Sequence, residues 1–174
     1  MKAQTLNHDC STCQHLSKSH FSSLDAEGLG EVNDNKACMA FKKGQTIYHE
    51  GMRVNGIYCL HGGIGKLTKL GPKGKDQIIQ FVQPGDIAGY RSMISNEPMV
   101  GSLIAHTEVR ACFIPKEIFL NQVKNSPNFS FKLLQASCHE LGEREQSDFK
   151  HDTEIRKRTP SRNALAFGGF VWKE

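Results

Sequence analysis

Long apolar runs are missing from this sequence: the longest is five residues, Ala37–Phe41. A membrane-crossing helix needs about 20, so no transmembrane segment is expected. Residues 1–9 lack the apolar stretch of a secretory leader, and the expected location is the cytoplasm. Proline is scarce, at 6 against 16 glycines, while hydrophobic residues make up 38%; neither a disordered nor a collagen-like chain is expected. Charge of one sign is not in large excess: 22 basic against 18 acidic residues leave +4, too little to argue nucleic-acid binding from charge. Signatures of catalysis are absent too. There is no P-loop, no dinucleotide-binding glycine fingerprint, no Gly-x-Ser-x-Gly elbow and no His-Glu-x-x-His helix. The eight histidines are scattered singly, and Asp86 and Glu97 sit in turns, so the chain is not expected to be an enzyme.

What is present fits one domain with terminal appendages, given 174 residues. Residues 1–20 are polar and hold Cys10, Cys13, His8, His15 and His20; they read as an arm. Phe21, Leu24, Leu29 and Val32 follow at near-helical spacing, with Ser22 and Ser23 as candidate caps. From 37 to 115 short apolar or alternating runs recur about every ten residues. They are Ala37–Phe41, Thr46–His49, Gly56–Leu60, Ile64–Leu70, Gln77–Val82, Ile87–Gly89, Ser102–Ala105 and Val109–Ile114, separated by turn residues such as Gly62-Gly63 and Pro84-Gly85-Asp86. Eight short strands so punctuated predict an antiparallel all-β roll, sandwich or barrel. Nothing between them is helical enough for a parallel α/β sheet.

Pro115 to Val123 reads as a short helix. A second, from Asn128 to about Arg158, is long for a domain of this size. Leu134, Cys138, Leu141 and Ile155 fall on one seam of it, so that face is expected to meet a second copy of the chain. The alternative is a helix packed wholly on its own domain. Arg156-Lys157-Arg158 with Arg162 reads as a solvated basic helix end rather than a phosphate contact.

Together these parts, and the strings Phe41-Lys42-Lys43-Gly44-Gln45-Thr46-Ile47, Gly56-Ile57-Tyr58-Cys59-Leu60-His61-Gly62-Gly63 and Gln83-Pro84-Gly85-Asp86-Ile87-Ala88-Gly89-Tyr90, resemble the Crp/Fnr family of bacterial transcription regulators over about residues 10–158. The resemblance implies a mainly β fold with flanking helices: a jelly roll of the cyclic-nucleotide-binding type followed by a long dimerisation helix. On that reading residues 1–20 are a Cys-bearing arm, 21–127 the β-roll, 128–158 the dimerisation helix and 159–174 a tail. The family's winged helix-turn-helix has no room in that tail. DNA is therefore expected as a partner only if a helix-turn-helix is present in a fuller product.

Nucleotide-binding members hold the ribose with Glu and the cyclic phosphate with Arg. The matching stretch here is Gly89-Tyr90-Arg91-Ser92, then Gly101-Ser102. Tyr90 stands where Glu is expected and Gly101 where Arg is expected. Without those charged anchors, cyclic AMP is not the expected effector, although these six residues remain the candidate effector pocket.

Cys10-x-x-Cys13 places two sulfurs within reach of one metal, but a complete site needs further ligands. The resembled family's oxygen-sensing branch implies an iron–sulfur cluster held by three arm cysteines and one in the roll. Cys10 and Cys13 match two of these and Cys112 the roll ligand. The third arm cysteine is absent; His15, Ser17, Ser19 and His20 occupy the region after Cys13. An iron–sulfur cluster, a zinc ion held with neighbouring histidines, a redox dithiol, and an arm that merely packs on the roll all stay open. Cys38, Cys59 and Cys138 are expected as buried structural thiols, and no disulfide framework is expected in the cytoplasm. The functional expectation is a homodimeric sensor domain. The alternative is a small metal-binding redox protein using the roll as scaffold. A cupin-like enzyme would need clustered His and carboxylate ligands in residues 46–110, and no such cluster is seen.

Overall fold

The structure, a computed structural model, describes residues 9–71, 74 and 76–158, with side chains described as far as 142. The expected tail 159–174, Arg162 included, lies outside the described residues, as do the side chains of Ile155, Arg156, Lys157 and Arg158. The backbone divides into two compact units, Met1–Gln135 and Ala136–Glu174.

Two single-turn 3-10 helices, Leu16–Lys18 and His20–Ser23, open the first unit. Helix α1 (Ala26–Asn35) follows, capped by Asp25, whose carboxylate accepts from the Gly28 N–H at 2.8 Å. The cap is thus Asp25 rather than the expected Ser22 or Ser23: Leu24 has extended backbone, and the chain breaks between the two helices. Eight strands come next: β1 (Ala37–Phe41), β2 (Thr46–Tyr48), β3 (Gly56–Gly62), β4 (Gly65–Leu70), β5 (Asp76–Val82), β6 (Ile87–Ala88), β7 (Ser102–Ala105) and β8 (Val109–Pro115). Helix α2 (Tyr90–Ser95) interrupts them after β6, and α3 (Lys116–Asn125) and α4 (Pro127–Arg158) end the described chain.

The strands pair only antiparallel, in two four-stranded sheets ordered β1-β8-β3-β6 and β2-β7-β4-β5. This is the antiparallel β-roll with flanking helices that the turn spacing predicts. Alternation along each strand sends one set of side chains between the sheets and the other outward. Leu60 and Leu103 are both fully buried, and both come within van der Waals reach of a side chain placed at Gly65; the two sheets meet there. On the other parity of the first sheet, Ile57 pairs with Ile114 and Cys59 with Cys112.

Around Phe129, at the start of α4, the helical layer closes. Phe21 stacks on it at 5.4 Å and Phe119 of α3 meets it edge-on at 5.8 Å. Phe119, Phe129 and Leu133 are essentially inaccessible. Burying each aromatic of this kind is worth about 1.5–3 kcal/mol, so the root of α4 is firmly part of the roll.

Candidate functional site

Two places collect the residues singled out by the sequence. The first is the candidate effector pocket. Gly89 has a left-handed backbone, φ 92°, that lets the chain turn from β6 into α2. Tyr90 and Ser92 are buried in α2 and Arg91 is partly so. The Arg91 charge is felt at Tyr48, whose phenol burial nonetheless pushes far above its ordinary range. Tyr48 and Tyr58 pack at 5.9 Å, and Tyr58 and Phe113 at 5.2 Å. Gly101 leaves no room for a side chain: a Cβ there would lie 2.6 Å from the Thr68 carbonyl oxygen. Ser102 is committed to structure, its hydroxyl accepting from the Glu50 N–H at 2.9 Å. Ser92 lines a separate polar cleft of about 490 Å³ with Arg53, Asn96, Glu97 and Lys116. Ser92 is the candidate effector-pocket residue that reaches this cleft.

The second place is a sulfur-lined cavity. Cys10 and Cys13 of the arm line it with Cys59, His61 and Cys112 of the roll, and Val32, Lys36 and Ile114 are among the other residues of its wall. The arm is fastened over it by specific bonds. Cys10 and Cys13 form a turn, the Cys13 N–H donating to the Cys10 carbonyl at 3.2 Å. The Cys10 N–H donates to Asn33 Oδ1 at 2.9 Å, and Lys36 Nζ donates to the same oxygen. Farther along, Lys132 Nζ of α4 donates to the Ser19 carbonyl at 3.1 Å and to Ser22 Oγ at 2.7 Å.

Strand register assembles the floor. Cys38 pairs with Cys112 across β1 and β8, and Cys112 with Cys59 across β8 and β3. Residues directly opposite share a face, so the three sulfurs form one row on the outward side of the sheet. Two residues beyond Cys59, His61 returns to that face and is buried. One ligand atom each from Cys38, His61 and Cys112 lies within 4.8 Å of the other two.

Several expectations are corrected here. Cys38 and Cys112 are joined as a disulfide, so Cys38 is not a plain buried thiol, Cys112 is not a free metal ligand in this state, and a disulfide is present after all. Cys138 is exposed rather than buried. Cys59 is partly buried and free; its sulfur lies 3.9 Å from Ser19 Oγ. Loss of solvent pushes its thiol up to about 12, with the nearby sulfurs of Cys13 and Cys10 and the charge of Asp86 acting the same way against the Ser19 bond. Burial also raises Cys10, opposed by the Lys36 charge and hydrogen bond. Sequence reading missed Cys38, Cys59 and His61 as members of the site. The Cys59-x-His61 spacing on a strand was the available signal.

The donor chemistry suits a soft or borderline metal. Cys10, Cys13 and Cys112, the positions that the resemblance implies for iron–sulfur ligands, line the same cavity, with Cys112 held in the disulfide. The cavity itself measures about 30 Å³. By this measure a water needs about 10–15 Å³, so in this arrangement the space suits a single ion and a water better than a cluster. On the long helix, Leu134 is exposed in the first unit, and Cys138 and Leu141 are exposed in the second.

Comparison with known proteins agrees with the fold. The cyclic nucleotide-binding domain family matches residues 38–126. The nitrogen fixation regulation protein FixK of Bradyrhizobium diazoefficiens is 27% identical over 136 residues, covering 78% of this chain and 56% of FixK. A CRP-like cAMP-activated global transcriptional regulator of Mycobacterium tuberculosis is 22% identical over 121 residues, covering 70% and 54%. This chain thus spans about half the length of the curated relatives it matches. Among solved structures, the sensor domain of the transcriptional regulator DNR from Pseudomonas aeruginosa superposes with a TM-score of 0.68 at 19% identity, covering 81% of this chain and 95% of that one. The chain belongs to the cyclic nucleotide-binding domain family, and Crp/Fnr-type regulators are among the proteins it is similar to.

Proposed function

We propose that this chain is the sensor domain of a Crp/Fnr-like transcription regulator and takes its signal at the sulfur-lined cavity beneath the arm, not through a cyclic nucleotide. One observation carries the reading: arm cysteines Cys10 and Cys13 and roll residues Cys59, His61 and Cys112 line one shared cavity. The other candidate pocket lacks the charged anchors an anionic cyclic phosphate needs, and Gly101 is closed to a longer side chain. The bound group is an iron–sulfur cluster, as the resemblance implies, or a single divalent ion, as the cavity size favours. Such a group supplies a redox- or oxygen-sensitive link between arm and roll.

In this reading residues 1–20 serve as the sensing arm, 21–127 as the roll and 128–158 as the helix that pairs two copies through Leu134, Cys138, Leu141 and Ile155. Occupancy favours one of two dimer geometries, and the difference in affinity sets the size of the response. The setting is cytoplasmic, the chain catalyses no reaction, and DNA is contacted only if a helix-turn-helix accompanies it. Among the described residues no helix is long and apolar enough to cross a membrane.

Anaerobic purification followed by metal analysis and an absorption spectrum tests the reading. Broad visible absorption with iron and sulfide, or a stoichiometric divalent ion, is expected, and Cys10→Ser should lose it. A metal-free chain that cannot be reconstituted, or micromolar cyclic AMP binding by calorimetry, would overturn it. A loaded but strictly monomeric protein would favour the small redox protein instead.

A further inference from the structure

We propose that Cys38, His61 and Cys112 form a metal site of their own at the floor of the cavity, open when the disulfide is reduced and closed when it is formed. The inference rests on the reading that the cavity is where the signal is taken, and it deepens that reading by naming ligands and a control.

Three observations converge. The three ligand atoms lie within 4.8 Å of one another and all three residues are buried. Their backbones sit on adjacent strands, Cys38 opposite Cys112 on β1 and β8 and His61 on the neighbouring β3, where the register with β8 shifts between Leu60 and Gly62, so no segment must fold to bring them together. Two cysteines and a histidine are a ligand set for zinc-class ions, and such a three-residue site leaves one position open. Two of the three, His61 and Cys112, line the cavity together with Cys10, Cys13 and Cys59.

In the present state the site is shut, because the sulfurs of Cys38 and Cys112 are bonded to each other. A disulfide in a reducing compartment is commonly a sensing one. Opening it is a two-electron step. A dithiol reductant gives up two electrons and two protons, the S–S bond breaks, Cys38 and Cys112 each gain a proton, and the reductant leaves as its own disulfide. A divalent ion then displaces both thiol protons and binds the two thiolates with a neutral His61 nitrogen. Peroxide reverses the state: its O–O bond breaks, two thiols lose two electrons and two protons, the S–S bond forms, and two waters leave. Disulfide and metal therefore exclude each other.

The full chain, reduced with dithiothreitol, freed of it anaerobically and titrated with cobalt(II), tests the proposal. The expected result is one cobalt per chain with sulfur-to-metal charge-transfer absorption. Peroxide-oxidised chain, Cys38→Ser and His61→Gln should each bind at least about tenfold more weakly. Wild-type binding by Cys38→Ser and His61→Gln, with loss in Cys10→Ser and Cys13→Ser, would overturn this site while leaving the cavity reading intact. No cobalt in any form, together with no reconstituted cluster, would overturn both. Circular dichroism checks that each variant folds. Should Cys38→Ser not fold, iodoacetamide labelling of the reduced wild-type chain decides: cobalt must shield Cys38 and Cys112 from alkylation, and equal labelling with and without cobalt overturns the proposal.

Discussion

Cys112 lies directly opposite Cys59 on one side and directly opposite Cys38 on the other, so its sulfur has a thiol neighbour on each flanking strand. In the folded chain Cys38 has taken it, and Cys59 remains free. That choice gives Cys59 a distinctive acid–base behaviour.

Between pH 9 and about 12 an unfolded chain ionises Cys59 while the folded chain keeps it protonated. The folded state then binds more protons, so stability should fall as pH rises through that window and be fully present below it. Urea midpoints measured from pH 8 upward should show this loss, and Cys59→Ala should show a shallower one. Equal slopes for the two proteins would mean that Cys59 titrates normally.

Phe129→Ala should cost about 3–5 kcal/mol, because the ring is fully buried between Phe21 and Phe119. Thermal unfolding should show a large drop in midpoint. Since Phe21 belongs to the segment bearing the arm, protease cleavage within residues 9–23 should also accelerate.

Gly101→Arg restores the residue type expected at a phosphate anchor, yet it should not confer cyclic AMP binding. Its Cβ would press on the Thr68 carbonyl oxygen, a backbone atom that cannot swing aside, and overpacking of this sort costs about 1–3 kcal/mol. Calorimetry should show no cyclic AMP heat and the unfolding midpoint should drop. A stable, binding variant would reinstate the cyclic-nucleotide reading.

Leu141→Glu replaces an exposed side chain, so thermal stability at low protein concentration should change by no more than about 0.5 kcal/mol. Oligomeric state should change instead: light scattering should find the wild type dimeric at micromolar concentration and the variant monomeric. A wild type that is already monomeric would remove the partner seam.

The strands were legible because turn chemistry is local. Pro84-Gly85-Asp86 and Gly62-Gly63 announce chain reversals wherever they occur, and all eight strands lie between such signals. The metal-competent floor was not legible for the opposite reason. Cys38 and Cys112 are 74 residues apart, and nothing in either strand alone states which residue of the other it will face. Register comes from the whole sheet packing one parity inward. Gly28 shows the same limit at smaller scale. A Cβ there would lie 2.5 Å from the Gln122 side-chain oxygen; the glycine marks where α1 and α3 pack closely. Cys138 misled in another way, since a thiol in an apolar run is read as interior until the face it occupies is known.

Lys132 joins α4 to the segment after the arm. Its ammonium grips the Ser19 carbonyl and the Ser22 hydroxyl, so the segment that follows Cys10 and Cys13 is tethered to the first turns of α4. In the sensor reading proposed above, a group held by Cys10 and Cys13 would bear on the root of α4 through that side chain and the Phe21–Phe129 stack.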